Sequence, residues 1–297
     1  MEIIIRELIL DQLNEIVNSI TQIHGLGEVN EVFVVETNKQ KIVIRLNNKD
    51  VLNQFKKGVW CIEQVQFLNI DTSPVIQFGI FKEYAYVILK FLDGINGKEY
   101  YNSKYIWNDF GGKLNKIHQI STKGWGDNMI EPGSFEGSWK DFLNYNISSL
   151  NDEDTLLNNV ISKDQSSKLK ERFLTLADKK FIFGLNHGDV SLKNSIINSE
   201  NQVFLIDWDS SESHIVPHFD FACIISYCFN YNFENEDFKH LIQGYGMLDI
   251  EFESIKHDII SIILLTSIDK LRWAIDRKPE KIQEHSKRLI SVVKRFL

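Results

Sequence analysis

Residues 186–209 read NHGDVSLKNSIINSENQVFLIDWD. A His, a Gly and an Asp stand in a row, His187, Gly188 and Asp189, and Asn194 follows five residues after that Asp. Two short apolar runs come next, around a polar turn at residues 198–202, and the second ends on Asp207. Runs of this kind read as a β-hairpin. Taken alone, the stretch is a polar loop between strands, because Asp and Asn favour turns. The order of its groups says more. Phosphoryl transfer needs a carboxylate to take the proton of an attacking hydroxyl and hard oxygen ligands for magnesium, and Asp189, Asn194 and Asp207 supply these in sequence.

The chain has 297 residues, 43% of them hydrophobic and 25% charged, a composition that suits a folded protein of one large or two modest domains. Its net charge of −8 argues against a nucleic-acid backbone or an anionic membrane surface as the main partner. The same charge weakly favours a cationic small molecule. Cys61, Cys223 and Cys228 form neither a CxxC pair nor an even disulfide set, which fits a reducing cytosol. The N-terminal segment MEIIIRELILDQLNEIV has acids among its apolar residues and no basic start, so it does not read as a signal peptide. The longest apolar stretch, residues 259–268, is well short of the roughly 20 residues of a spanning helix. A cytoplasmic location is the expectation.

The first ninety residues or so read mainly as strands. EVFVVETNKQKIVIRL predicts an antiparallel hairpin, and PVIQFGIF and YAYVILKFL predict two further strands, the second central because nearly all its residues are apolar. Between them, Phe55, Val59, Ile62 and Val65 fall at helical spacing on one face. The Gly- and Asn-containing segment DGINGKEYYNS then breaks the pattern, and helices dominate from about residue 98. The expected division is residues 1–92, binding a nucleotide, and residues 93–297, carrying the catalytic loop and the acceptor site.

On His187, Gly188, Asp189, Asn194 and the motif Ile206-Asp207-Trp208-Asp209, the sequence resembles the aminoglycoside phosphotransferase and choline kinase group. These are the small-molecule kinases of the protein-kinase-like fold. The resemblance implies an α+β, two-lobed architecture: an N-lobe antiparallel sheet with one main helix, and a larger, mostly helical C-lobe. It implies ATP or GTP with Mg2+, Asp189 as catalytic base, and Asn194 and Asp207 as metal ligands. Arg45 in KIVIRL stands where kinases of this fold place a phosphate-binding cation, and Glu63 stands on the following helix as its ion-pair partner. Gly25 and Gly27 lie in the nucleotide-covering loop, and Phe91 and Leu92 lie in the hinge, whose backbone would bond the base.

Two features depart from protein kinases. Ser191 stands two residues after the base where those enzymes have Lys, and the interval from Asp207 to Asp220 is too short for an activation segment. Asp220 in VPHFDFACIISY is expected to cap the next helix. The expected activity is transfer of a γ-phosphate to a hydroxyl of a small molecule. An aminoglycoside-type antibiotic is the first choice of acceptor, implying antibiotic resistance, and choline, homoserine or a sugar is the alternative. A non-catalytic pseudokinase is the reading from another class, and it expects the loss of Asp189, Asn194 or Asp207.

Overall fold

The computed structural model describes residues 1–23, 30–151, 153–154 and 160–297. Its contacts divide the chain into two units, residues 1–106 with 191–211, and residues 107–190 with 212–297. The sequence reading put the boundary after Leu92 and left the hairpin of 191–211 with the second part. Pairing explains the difference, since strand β10 (Ser195–Ile197) bonds both β11 (Val203–Leu205) and β6 (Ile95–Asn96).

The first unit is built on an antiparallel sheet with strand order β1-β2-β3-β5-β4. Its strands are β1 (Val17–Ile23), β2 (Glu31–Thr37), β3 (Lys41–Asn48), β4 (Val75–Phe81) and β5 (Tyr84–Lys90). The expected hairpin is β2–β3, and the apolar strand β5 lies inside the sheet. Side chains alternate across the two faces. Ile42, Ile44 and Leu46 of β3 and Tyr86 and Ile88 of β5 join Ile5, Leu8 and Ile9 of helix α1 (Glu2–Leu13) in one apolar cluster. Ala85 and Val87 face the other way and pack with Phe55 and Val59 of helix α2 (Leu52–Phe67). Arg45 lies between Ile44 and Leu46 and opposite Val87, so the pleat sends it to the α2 face. A cation on an otherwise apolar sheet face is what the site below is built around.

The second unit contains helix α3 (Ser103–Ile117), a sheet of order β8-β7-β12-β9, and a set of further helices. The strands are β7 (Trp125–Glu131), β8 (Ser134–Gly137), β9 (Phe183–Asn186) and β12 (Glu212–Ile215). The helices are α4 (Trp139–Ser149), α5 (Lys163–Ala177), α6 (His218–Tyr227), α7 (Glu236–Tyr245), α8 (Asp249–Arg277) and α9 (Ile282–Phe296). The capping box of Ser162 and Gln165 starts α5. Helix α8 buries Ile259, Ile262, Ile263, Leu264 and Ile268, and packs on α6 and α9. Among the described residues, no helix is long and apolar enough to cross a membrane.

One buried polar side chain on β12 couples this unit to pH. His214 is enclosed by Trp125, Trp139 and Phe219, with the Phe219 ring stacked on it at 3.9 Å between centroids. Its Nδ1 accepts from the Ile215 N–H at 2.8 Å. Burial brings its pKa down from 6.5 to about 3. The unfolded chain therefore binds a proton below pH 6.5 that the folded chain excludes, and stability falls as pH drops from 6.5 toward 3. At pH 5 this group alone costs about 2 kcal/mol relative to neutral pH. Burial lowers His218 as well, so the wild-type loss is larger. In His214→Asn, whose Oδ1 can take the place of Nδ1, urea unfolding at pH 7 and pH 5 is expected to show a loss about 2 kcal/mol smaller than in the wild type. An unchanged pH dependence would show that His214 does not carry this effect.

Candidate active site

The second unit presents Asp189 on a loop held by a single carboxylate. Asp220, in the first turn of α6, is fully buried. Its Oδ2 accepts from the His187 N–H at 3.0 Å and its Oδ1 from the Gly188 N–H at 2.8 Å. His118 Nε2 lies 3.0 Å from the same Oδ2, while His118 Nδ1 lies 3.0 Å from the Tyr245 hydroxyl. Burial pushes the Asp220 carboxyl up, but the His118 hydrogen bond, the His118 and His187 charges and the Gly188 N–H together hold it below its ordinary value. Asp220 thus anchors the loop that carries Asp189, and the expectation that it caps its own helix is corrected. Both of its oxygens bond residues outside that helix. Gly188 turns the chain at φ 79°, a left-handed conformation that costs a residue with a Cβ about 1 kcal/mol. His187 is also fully buried, and its Nδ1 accepts from the Asp189 N–H at 3.3 Å.

The first unit presents the phosphate and metal candidates. Arg45 Nη2 bonds Asp209 Oδ2 and lies 3.2 Å from Asp207 Oδ1. Asp209 Oδ2 also accepts from Asn30 Nδ2 at 2.7 Å, and Asn30 Oδ1 accepts from Asn47 Nδ2 at 2.7 Å. Two carboxylates share one side of one guanidinium. Asp207 reaches this position through a left-handed backbone, φ 68° and ψ 72°, which Asp tolerates better than most residues. Between the two acids Trp208 is buried and its indole N–H donates to Thr72 Oγ1 at 2.9 Å, which fixes the turn. Burial raises the Asp209 carboxyl, Arg45 opposes the rise, and the neighbouring Asp207 charge adds to it.

The ion pair expected between Arg45 and Glu63 is not formed. Glu63 is exposed on α2, on the same arc as Lys56 and Phe67, while Phe55, Val59, Ile62 and Val65 turn inward as expected. At about 100° per residue, position 63 lies at the edge of the face that those four residues define, and there its side chain is exposed. The partners of Arg45 come from the strand end instead. Position 58 of α2 is a glycine, and a Cβ built there stands 3.4 Å from Asp209 Oδ1, so a longer side chain would enter the carboxylate. Lys57 is buried on the same helix, and its charge acts on Asp209. The signal for Asp209 was in the sequence as the last acid of FLIDWD; nothing pointed to Asn30, Gly58 or Lys57.

Arg45 and Asp207 still have unused bonding capacity. Arg45 Nε is buried with no partner among the described residues. Asp207 Oδ2 has no partner among them either, and Asp207 is the most exposed member of the cluster. A free, hard carboxylate oxygen beside an unpartnered guanidinium N–H fits magnesium and a phosphate respectively. Asn194 closes the short 3₁₀ turn Leu192–Asn194, its side chain is buried, and its carbonyl accepts from the Ile206 N–H at 3.0 Å. Asn194 and the segment that leads from β11 to Asp207 are thereby tied together.

Phe91 and Leu92 follow β5 directly, and the Phe91 N–H bonds the Lys41 carbonyl at 3.4 Å. Their side chains line a cavity of about 1020 Å³ with Pro74, Tyr100, Ile197 and Phe204, a set that excludes Arg45, Asp207 and Asp209. Gly25 and Gly27 lie outside the described residues.

The sequence profile of the fructosamine kinase family matches residues 1–223, three quarters of the chain. The chain belongs to the fructosamine kinase family. None of the curated protein sequences compared matches it significantly. Among solved structures, aminoglycoside phosphotransferase APH(4)-Ia is similar at a TM-score of 0.70 with 14% identity, covering 99% of each chain. A protein described as a fructosamine-3-kinase, from Haemophilus somnus 129PT, is similar at 0.66 with 14% identity, over 99% of this chain and 96% of that one. Choline kinase LicA from Streptococcus pneumoniae is similar at 0.62 with 17% identity, over 98% and 99%. At these identities the likenesses speak for the fold, which is the two-lobed α+β architecture of small-molecule kinases. With the family, they make this fructosamine kinase relative a small-molecule phosphotransferase.

The buried Asp220 network gives a stability test. Asp220→Ala leaves the His187 and Gly188 N–H groups and the His118 ring without their buried acceptor. The expected loss is about 3 kcal/mol or more in urea unfolding at pH 7. A loss below about 1 kcal/mol would show that the loop does not depend on this carboxylate.

Proposed function

We propose that this chain transfers the γ-phosphoryl group of ATP or GTP, with magnesium, to a hydroxyl of a fructosamine-type acceptor, a sugar bearing an amine. The observation that carries the reading is the Arg45 cluster. It pairs a cation that has a buried, unpartnered Nε with a carboxylate that has a free oxygen, one strand turn after the HGD loop. Arg45 Nε would bond a phosphate oxygen, and Asp207 with Asn194 would hold magnesium. Bound magnesium would neutralise charge on the phosphate oxygens. Asp189 would accept a hydrogen bond from the acceptor hydroxyl, orient it for in-line attack and take its proton. With the Phe91 N–H engaged by Lys41, the base would be held through the Phe91 carbonyl and the Leu92 N–H. ATP and GTP both suit a backbone contact of this kind.

The family profile supports a sugar amine as acceptor ahead of an antibiotic. The fold likeness to APH(4)-Ia, one of whose structures holds AMP-PNP and hygromycin B, favours an aminoglycoside as the second reading. The absence of a disulfide among the described residues accords with action in the cytosol.

The deciding experiment measures ADP and GDP release with a fructose–amine adduct, hygromycin B, choline, homoserine and glucose, for wild type and Asp189→Ala. The expected result is turnover of the fructose–amine adduct that falls on the order of 10³-fold in Asp189→Ala, with nucleotide binding kept. Turnover unchanged in Asp189→Ala would remove that residue as the base. Nucleotide binding without phosphorylation of any acceptor would favour a pseudokinase.

A further inference from the structure

The second unit holds two cations that no step above uses. Lys270 on α8 and Arg288 on α9 converge on Tyr227, the last residue of α6. The Lys270 ammonium bonds the Tyr227 hydroxyl, and the Arg288 guanidinium lies 4.1 Å from the centre of its ring. Arg288 Nε donates to the Tyr231 hydroxyl at 3.1 Å. Among the described residues neither cation has a carboxylate within ion-pair distance; the carboxylate of the adjacent Asp269 feels the Lys270 charge without bonding it. His285 adds a ring nitrogen, Nδ1, that is buried and without a partner among the described residues, and both cations act on this ring. Two cations around one phenol, neither of them in an ion pair, repel each other, and an anion bound between them would offset that repulsion.

The cluster borders the loop that carries Asp189. Helix α6 holds that loop at its start, through Asp220 on His187 and Gly188, and again just past its end, where Cys228 Sγ meets the Val190 carbonyl at 3.5 Å. Tyr227 is the residue before Cys228. Between these points lies Cys223, whose thiol burial pushes up, and on which Lys270, Asp220, Glu212 and Arg288 all act by their charges. One side chain on α6 therefore lies within reach of both the loop anchor and the two cations. Tyr227 is half exposed and Lys270 reaches solvent, so the cluster is open to a ligand.

We infer that Lys270, Arg288 and Tyr227 form an anion subsite for the acceptor, so that the molecule phosphorylated carries an acid group, a carboxylate or a phosphate, beside its hydroxyls. The inference rests on Asp189 being the base. The planar guanidinium fork suits either oxyanion, and the Lys270 ammonium and the Tyr227 hydroxyl can both donate. A sugar amine formed on an amino acid has this combination of groups. Charge-assisted hydrogen bonds of this kind are expected to change KM by about 10- to 100-fold.

The test uses the full chain and three acceptors: fructose joined through its amine to glycine, to phosphoethanolamine and to ethanolamine. These carry a carboxylate, a phosphate and no acid. The expected result is a KM at least about 10-fold lower for one acid-bearing adduct than for the ethanolamine adduct, and which adduct gains identifies the oxyanion. In Lys270→Met and Arg288→Met that preference is expected to shrink toward one, and in Arg288→Lys to return in part. Lys239→Met, which removes a surface lysine paired with Glu234 and Glu236, is expected to keep it. Equal KM values for the three adducts in the wild type, with turnover still abolished in Asp189→Ala, would overturn the subsite and leave the phosphotransferase reading standing. A loss in the variants that is equal for all three adducts and comes with a lower Tm would mark a structural clamp, which overturns the subsite too. Absence of turnover with every adduct would overturn the fructosamine-type acceptor and the subsite together.

Discussion

One guanidinium shared by two carboxylates organises the first unit. Arg45 lies on the apolar α2 face of the sheet, where an unpaired charge would be costly, and Asp209 and Asp207 come to it from the end of the β10–β11 hairpin. The consequences spread through the neighbouring residues. Asp207 takes a left-handed backbone, Trp208 is buried against Thr72, position 58 has no side chain, and Asn30 supplies the second bond to Asp209. Removing one partner from such a cluster leaves a buried charge uncompensated, which is why a group of this kind is retained as a unit. Because Asp207 and Asp209 occupy one side of Arg45, Nε is left for something else.

The second unit uses the same economy with the signs exchanged. There one carboxylate, Asp220, meets two N–H groups and a His ring, and so fixes the loop that carries Asp189. Both arrangements put a single ionic side chain, partly buried in Arg45 and fully buried in Asp220, in charge of a short turn at a strand end, where Gly188 and Asp207 take positive φ. The candidate groups themselves remain partly open: Asp189 is half-buried and Asp207 about one-third exposed. Rigid backbone with accessible carboxylates is the condition for orienting a hydroxyl and a metal without reorganisation during the reaction.

How much of this could be read from the sequence depended on the range of the interaction. The hairpin β2–β3, the inner strand β5 and the buried face of α2 follow from periodicity, which is local, and they are where the sequence puts them. Asp189, Asn194 and Asp207 were candidates because their spacing lies within one loop and hairpin, which is local. Glu63 was misread by nearness along the chain: it lies at the edge of the buried face of α2, where helical phase alone does not choose between a partner and solvent. The role of Asp220 depends on contacts with residues 32 and 33 positions earlier, which no local pattern encodes. Helix α1 is rich in isoleucine and reads as strand by propensity, but Ile5, Leu8 and Ile9 at helical spacing bury against the sheet, and packing prevails. Strands β7 and β8 are short and polar, joined at a Pro-Gly turn, and give little periodic signal.

Charge shows the same contrast between whole-chain and local reading. A net charge of −8 suggested a cationic acceptor, but at physiological salt a charge is screened over about 8 Å, so a ligand responds to the side chains it touches rather than to the sum. Beside the loop of Asp189 those side chains include Lys270 and Arg288, with a phenol between them and no carboxylate paired to either among the described residues. A purely cationic acceptor would be repelled there, whereas an amine that also carries an acid group would be drawn in by the cations while its ammonium stayed clear of them. The surface charge and the local cluster are then compatible, because they act on different parts of one zwitterionic molecule.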